Sequence, residues 1–183
     1  MKIPKKIPYG ISDFECIRTD NYVYVDKTRF IEMLENEAAK YHFLIRPRKF
    51  GKSLFLSVLK HYYDVCYADK FDELFGDLYI GKNPTPKRGS LFVMRFSFSW
   101  LDTSSEEKFQ GSFTGAIRGS IQKFIIEHRS IINNYEEVKK EAWNLGNVRD
   151  YIEFAFAIIE SFGKKAYIII DEYDHFANDL IAM

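Results

Sequence analysis

The stretch Arg46-Pro-Arg-Lys-Phe-Gly-Lys-Ser53 decides how this chain is read. Before it, residues 42–45 (His-Phe-Leu-Ile) form a short apolar run that predicts a strand. After it, Leu54, Phe55, Val58, Leu59, Tyr62 and Val65 recur at helical steps and predict a helix over 52–66. Strand, tight loop and helix in that order is the layout in which a backbone cradles phosphate. The helix start turns its N–H groups outward and carries the positive end of the helix dipole. Gly51 lets an anion approach the backbone without a Cβ in the way.

In this reading Lys52 reaches β- and γ-phosphate oxygens and Ser53 offers a hydroxyl to Mg²⁺. The full pattern starts on Gly, where this chain has Arg46, and Pro47 has no N–H to donate. The amides of residues 49–53 remain and can form a nest. Gly-Lys-Ser/Thr alone turns up in about one chain in ten of this length, so the flanking elements carry the weight.

A second signal lies at Tyr167-Ile-Ile-Ile-Asp-Glu172. A fully apolar strand over 166–170 ends in two carboxylates, and the carboxyl ends of strands are where open α/β sheets bind ligands. Asp171 is expected to hold Mg²⁺, through a water, and Glu172 to polarise the attacking water. An acidic residue directly after the metal carboxylate favours ATP over GTP, since GTPases orient water with a Gln elsewhere. Glu172 and Lys52 are therefore the candidate catalytic residues, with Ser53 and Asp171 at the metal.

Between and around these signals the pattern alternates strand and helix. Residues 22–25 predict a short strand, and Asp26 predicts the N-cap of a helix to about residue 39. Asn83-Pro-Thr-Pro-Lys-Arg-Gly89 is a loop, and 91–98 a strand. Ser104 with Glu107 reads as a capping box opening a helix with Phe109, Phe113, Ile117, Ile121 and Phe124 on one side. That helix also carries Gly111, Gly115 and Gly119, which read either as a close-packing stripe or as tolerated glycines. Asn147 caps a further helix to about 162, stopped by Gly163. The order predicts α/β layers on a parallel sheet, with the strands ending at Ile45 and Ile170 central.

Composition bounds the rest. The chain has 183 residues, 26 Lys plus Arg against 26 Asp plus Glu, and hence no net charge. No global field grips nucleic acid or an anionic membrane. Aromatic residues make up 17%, ample core material. Cys16 and Cys66 cannot build a disulfide framework and read as free thiols. No apolar run approaches the ~18 residues of a membrane span, and a cytoplasmic protein is expected.

Four segments in order, Gly10-Ile-Ser-Asp-Phe14, Tyr22-Val-Tyr-Val-Asp-Lys-Thr28, Arg46-Pro-Arg-Lys-Phe-Gly-Lys-Ser-Leu54 and Ile169-Ile-Asp-Glu-Tyr-Asp174, resemble the predicted AAA-ATPase-like family. In that family Arg stands at the loop's first position, so the resemblance makes Arg46 a variant of the loop. It implies an α/β P-loop NTPase-type three-layer fold with a parallel central sheet. Residues 1–183 are then the N-terminal portion of the ATPase domain, and 1–41 lead into the P-loop strand. Because the chain ends at Met183, soon after Glu172, the sheet is expected to be incomplete at the C-terminus.

The resemblance further implies ATP and Mg²⁺ as cofactors. Nucleotide contacts would come from Pro47, Arg48, Lys49, Phe50, Gly51, Lys52, Ser53 and Leu54. Residues 25–28 are expected near the adenine, which adds Asp26 and Lys27 to the binding set. Asp26 reads equally as a plain helix cap, and Arg48 as either a γ-phosphate contact or a solvated side chain. Asp174 and His175 read either as a nucleotide sensor or as the start of a loop. Family members often carry a C-terminal PD-(D/E)xK nuclease-like domain. The implied function is Mg-dependent ATP binding and hydrolysis. The alternative is a non-catalytic nucleotide switch acting on that nuclease-like domain or another partner.

Overall fold

The computed structural model describes residues 5–47 and 49–172. Arg48, Asp174 and His175 lie outside the described residues. The chain divides into two units, Met1–Ser90 and Leu91–Met183, each described by itself.

The first unit is helical: α1 (Phe14–Thr19), α2 (Arg29–Asn36), α3 (Lys52–Tyr63), a 3₁₀ turn (Val65–Lys70), α4 (Phe71–Phe75) and α5 (Tyr79–Lys82). Its core is aromatic. Phe75 meets Phe14 at 4.9 Å and Tyr62 at 5.5 Å between ring centroids, and stacks on Phe71. The α3 face that the 3.6-residue period marks as apolar supplies buried Phe55, Val58, Leu59, Tyr62 and Tyr63. Ser57 on the same helix is buried and accepts the Phe14 N–H at 2.9 Å, which ties the start of α1 to α3.

Two expected strands do not form in this unit. Residues 22–25 make only an isolated parallel bridge, Lys6 to Tyr22. Residues 42–45 are irregular, with Phe43 77% and Ile45 84% exposed. A β-strand needs a neighbouring backbone for its N–H and C=O groups. Among the described residues the pairing at 22–25 stops at that single bridge, and 42–45 is not assigned to a strand. The helix expected from Asp26 begins instead after Thr28 and ends at Asn36, and α3 stops at Tyr63 rather than near Cys66.

The second unit holds β1 (Phe92–Ser97), α6 (Glu106–Glu127), α7 (Tyr135–Asn144), α8 (Val148–Ser161) and β2 (Ala166–Asp171). The strands pair in parallel, Phe92 with Ala166 through Ser97 with Asp171. Parallel neighbours require a long crossover, here supplied by the three helices. Phe92 packs on Phe124 of α6 and on Phe162 just beyond α8. Helix α8 starts on Asn147, whose side chain accepts the Asp150 N–H at 2.9 Å, and Gly163 follows it at φ 61°, as the sequence predicts. The cap of α6 is Ser105 rather than Ser104: Ser105 accepts the Lys108 N–H, while Ser104 turns back to Asp102. Nothing lies within 4 Å of a Cβ built at Gly111, Gly115 or Gly119, so these glycines make no packing seam among the described residues.

The architecture is thus mixed helix and strand with a two-stranded parallel sheet. Among the described residues no helix is long and apolar enough to cross a membrane. Cys16 and Cys66 form no disulfide.

Candidate functional site

The loop before α3 is shaped by two left-handed residues, Lys49 at φ 67° and Gly51 at φ 75°. Such a φ is routine for Gly and uncommon for Lys. Phe50 sits between them and donates its N–H to the Pro47 carbonyl at 3.3 Å. Gly51 is the N-cap of α3 and makes no side-chain cap, and the first turn holds no acidic residue. The helix start therefore keeps its positive end uncompensated by a local carboxylate. A Cβ at Gly51 would meet no atom within 4 Å, so the space in front of this turn is open.

Arg46, at the first loop position, braces the turn. Its guanidinium reaches toward the Phe50 carbonyl at 3.5 Å and lies 5.7 Å from the Phe55 ring centroid.

Beside the loop is a pocket of about 180 Å³. It is lined by Pro8, Val23, Tyr24, Val25 and Lys27 from the chain before α2, and by Arg46, Phe50, Gly51, Leu54, Phe55 and Val58 from the loop and α3. The lining is mostly apolar, with the cations Lys27 and Arg46 at its polar positions. Burial pushes the Tyr24 hydroxyl up to about 12, and the Asp26 carboxylate adds to this.

The Tyr22-Val-Tyr-Val-Asp-Lys-Thr28 segment thus divides its labour. Val23, Val25 and Lys27 face the pocket. Asp26 and Thr28 serve the fold. Asp26 Oδ1 accepts the Thr28 N–H and hydroxyl at 2.8 and 2.7 Å, and Oδ2 accepts the Tyr79 N–H at 2.7 Å. The Thr28 hydroxyl in turn accepts the Ile80 N–H at 3.1 Å. One carboxylate and one hydroxyl therefore fasten the starts of α2 and α5 together. Burial pushes the Asp26 carboxyl up, but the Tyr79 and Thr28 hydrogen bonds outweigh it and hold it below its usual range.

Pro8, Val23, Tyr24, Phe55 and Val58 were not legible as site residues. Their apolar types carry the same pattern as core, and only the fold turns them toward one cavity.

In the second unit, Asp171 ends β2 and is 3% exposed. Its Oδ2 accepts from Arg95 Nη2 at 2.8 Å, and its Oδ1 accepts the Glu172 N–H at 3.1 Å. Glu172 is left-handed at φ 56°. A non-glycine residue there stores strain of about 1–3 kcal/mol, and such residues cluster at functional sites. Ser53 and Asp171 are hard oxygen donors of the kind Mg²⁺ takes, and a carboxylate with two partners retains lone pairs for a metal-bound water.

A sequence model of a family described as "Predicted AAA-ATPase" matches residues 8–183. An uncharacterized protein encoded in the vnfD 5′ region of Azotobacter chroococcum mcd 1 is 55% identical over 56 residues. That alignment covers 30% of this chain and only 11% of the relative's length. No solved structure matches significantly.

Proposed function

Because this chain belongs to the predicted AAA-ATPase family, we propose that it binds Mg²⁺·ATP through the loop at the start of α3 and hydrolyses it. The observation that carries the reading is the left-handed Lys49–Gly51 turn opening the uncapped α3 beside an apolar pocket. The phosphates would take the amides of residues 49–53 and the Lys52 side chain. The base would enter the pocket that Val25, Lys27 and Phe50 help to line. Apolar walls with a few polar groups suit a planar heteroaromatic ring.

Ser53 and Asp171 are the residues that would hold Mg²⁺, which supplies charge neutralisation at the β- and γ-phosphate oxygens when bound. Glu172 would orient the attacking water. The proposal includes the three-layer P-loop architecture, of which the parallel β1–β2 pair and its crossover helices would be one part. A partner nuclease-like domain belongs to the same proposal through the family resemblance alone.

Titration of ATP into wild type and Lys52→Ala tests it. Wild type is expected to bind, and the variant to lose at least about tenfold in affinity. Equal binding, or none by wild type, overturns the reading. Phosphate release from wild type and Glu172→Gln separates hydrolysis from a switch: binding without turnover by wild type favours the switch.

A further inference from the structure

Arg95 lies on β1 opposite Ile169 in the parallel register, and Asp171 is the next residue on the same face of β2. A long side chain spans that diagonal readily. The Arg95 guanidinium sits 2.8 Å from Asp171 Oδ2, with the Arg side chain 33% and the Asp side chain 4% exposed. The carboxylate therefore carries a cation from its own sheet. Its aim does not depend on that cation, because Oδ1 is held separately by the Glu172 N–H.

These two facts have opposite consequences for a divalent ion. The Glu172 amide fixes the carboxylate where a metal-bound water could find it. The guanidinium neutralises the same carboxylate and repels a second cation. We propose that Arg95 competes with Mg²⁺ for Asp171, and so sets the Mg²⁺ concentration at which nucleotide is held. The inference rests on the assignment of Asp171 to Mg²⁺ above. It concerns a residue 76 positions away in sequence, which no motif marks.

The experiment measures ATP affinity across a Mg²⁺ series and in EDTA, for wild type, Arg95→Met and Arg95→Lys. In Arg95→Met the Mg²⁺ midpoint is expected to fall by about tenfold or more, the size of a lost charge-assisted contact. Affinity in EDTA should stay within about twofold of wild type. Arg95→Lys keeps a cation and should stay near the wild-type midpoint. In Arg95→Met/Asp171→Asn the gain should vanish.

A midpoint that stays or rises in Arg95→Met overturns the proposal. So does an equal loss with and without Mg²⁺, which marks Arg95 as purely structural. If Arg95→Met does not fold, the wild-type guanidinium NMR signal decides. It should be restricted with ATP in EDTA and gain mobility when Mg²⁺ is added; no change refutes the competition. Failure of wild type to bind ATP at all would instead refute the nucleotide reading.

Discussion

Replacing Gly51 with Ala separates backbone strain from phosphate binding. Gly51 has φ 75° and ψ 26°, and a Cβ there would touch nothing. The stability effect is therefore conformational: about 1–2 kcal/mol for an L-residue in the left-handed region, less about 0.4–1 kcal/mol for the stiffer unfolded chain. A net loss of about 1 kcal/mol moves Tm by roughly 2–4 °C for a chain of this size. Gly163 is the matched control, at φ 61° with equal space around its Cβ, at the end of α8. Gly163→Ala should show a similar Tm loss by scanning calorimetry and unchanged ATP affinity by isothermal titration. Gly51→Ala should lose at least about tenfold more in affinity, because its methyl group stands where phosphate approaches the amides. If the two variants bind ATP alike, the α3 start is not the phosphate site.

Asp26 and Lys27 should part company in mutation. Asp26→Ala releases three donors at two helix starts and should lower stability by about 1–3 kcal/mol in urea unfolding, with little effect on nucleotide affinity. Lys27→Ala should do the reverse. His61 should make the protein acid-sensitive. It is 4% exposed, and burial drives its pKa down, with Lys60 pushing the same way. The Ser57 carbonyl, Asp13 and Glu15 oppose this but do not prevail. A lowered folded pKa means the unfolded chain binds more protons, so this stabilisation is present above about pH 6.5 and is lost as pH falls toward the folded value. Thermal unfolding between pH 7.5 and 5 should show the fall, and His61→Gln should flatten it.

Local signals translated directly where the local backbone was enough. The Asn147 side chain caps α8 and Gly163 stops it, both within a turn of the helix they bound. The apolar period of α3 and the Gly-Lys-Ser opening gave its start to the residue. Helices α4, α5 and α7 carry no side-chain cap to announce them, and α1 forms within an opening whose Pro and Gly residues predict irregular chain, held by the Asp13 cap and the Ser57 bond. Ser104 and Ser105 are chemically alike, so the pattern pointed one residue early. Residues 42–45 have the composition of a strand, yet among the described residues they belong to none.

The sequence alone determined that the chain carries a glycine-lysine-serine helix start, an apolar strand ending in two carboxylates, and enough aromatic mass for a core. Those are properties of neighbours in the chain. Tertiary structure alone decided which of these residues work together. It bonds Asp26 to Tyr79, 53 residues on, and so makes one carboxylate a clasp between helices. It brings Val23 from one segment and the buried Phe55 and Val58 of α3 to line one pocket. It sets β1 against β2 in a register that places Arg95 on Asp171. Each of these depends on a hydrogen-bond partner or a cavity wall supplied from far along the chain, and residue spacing holds no record of that distance.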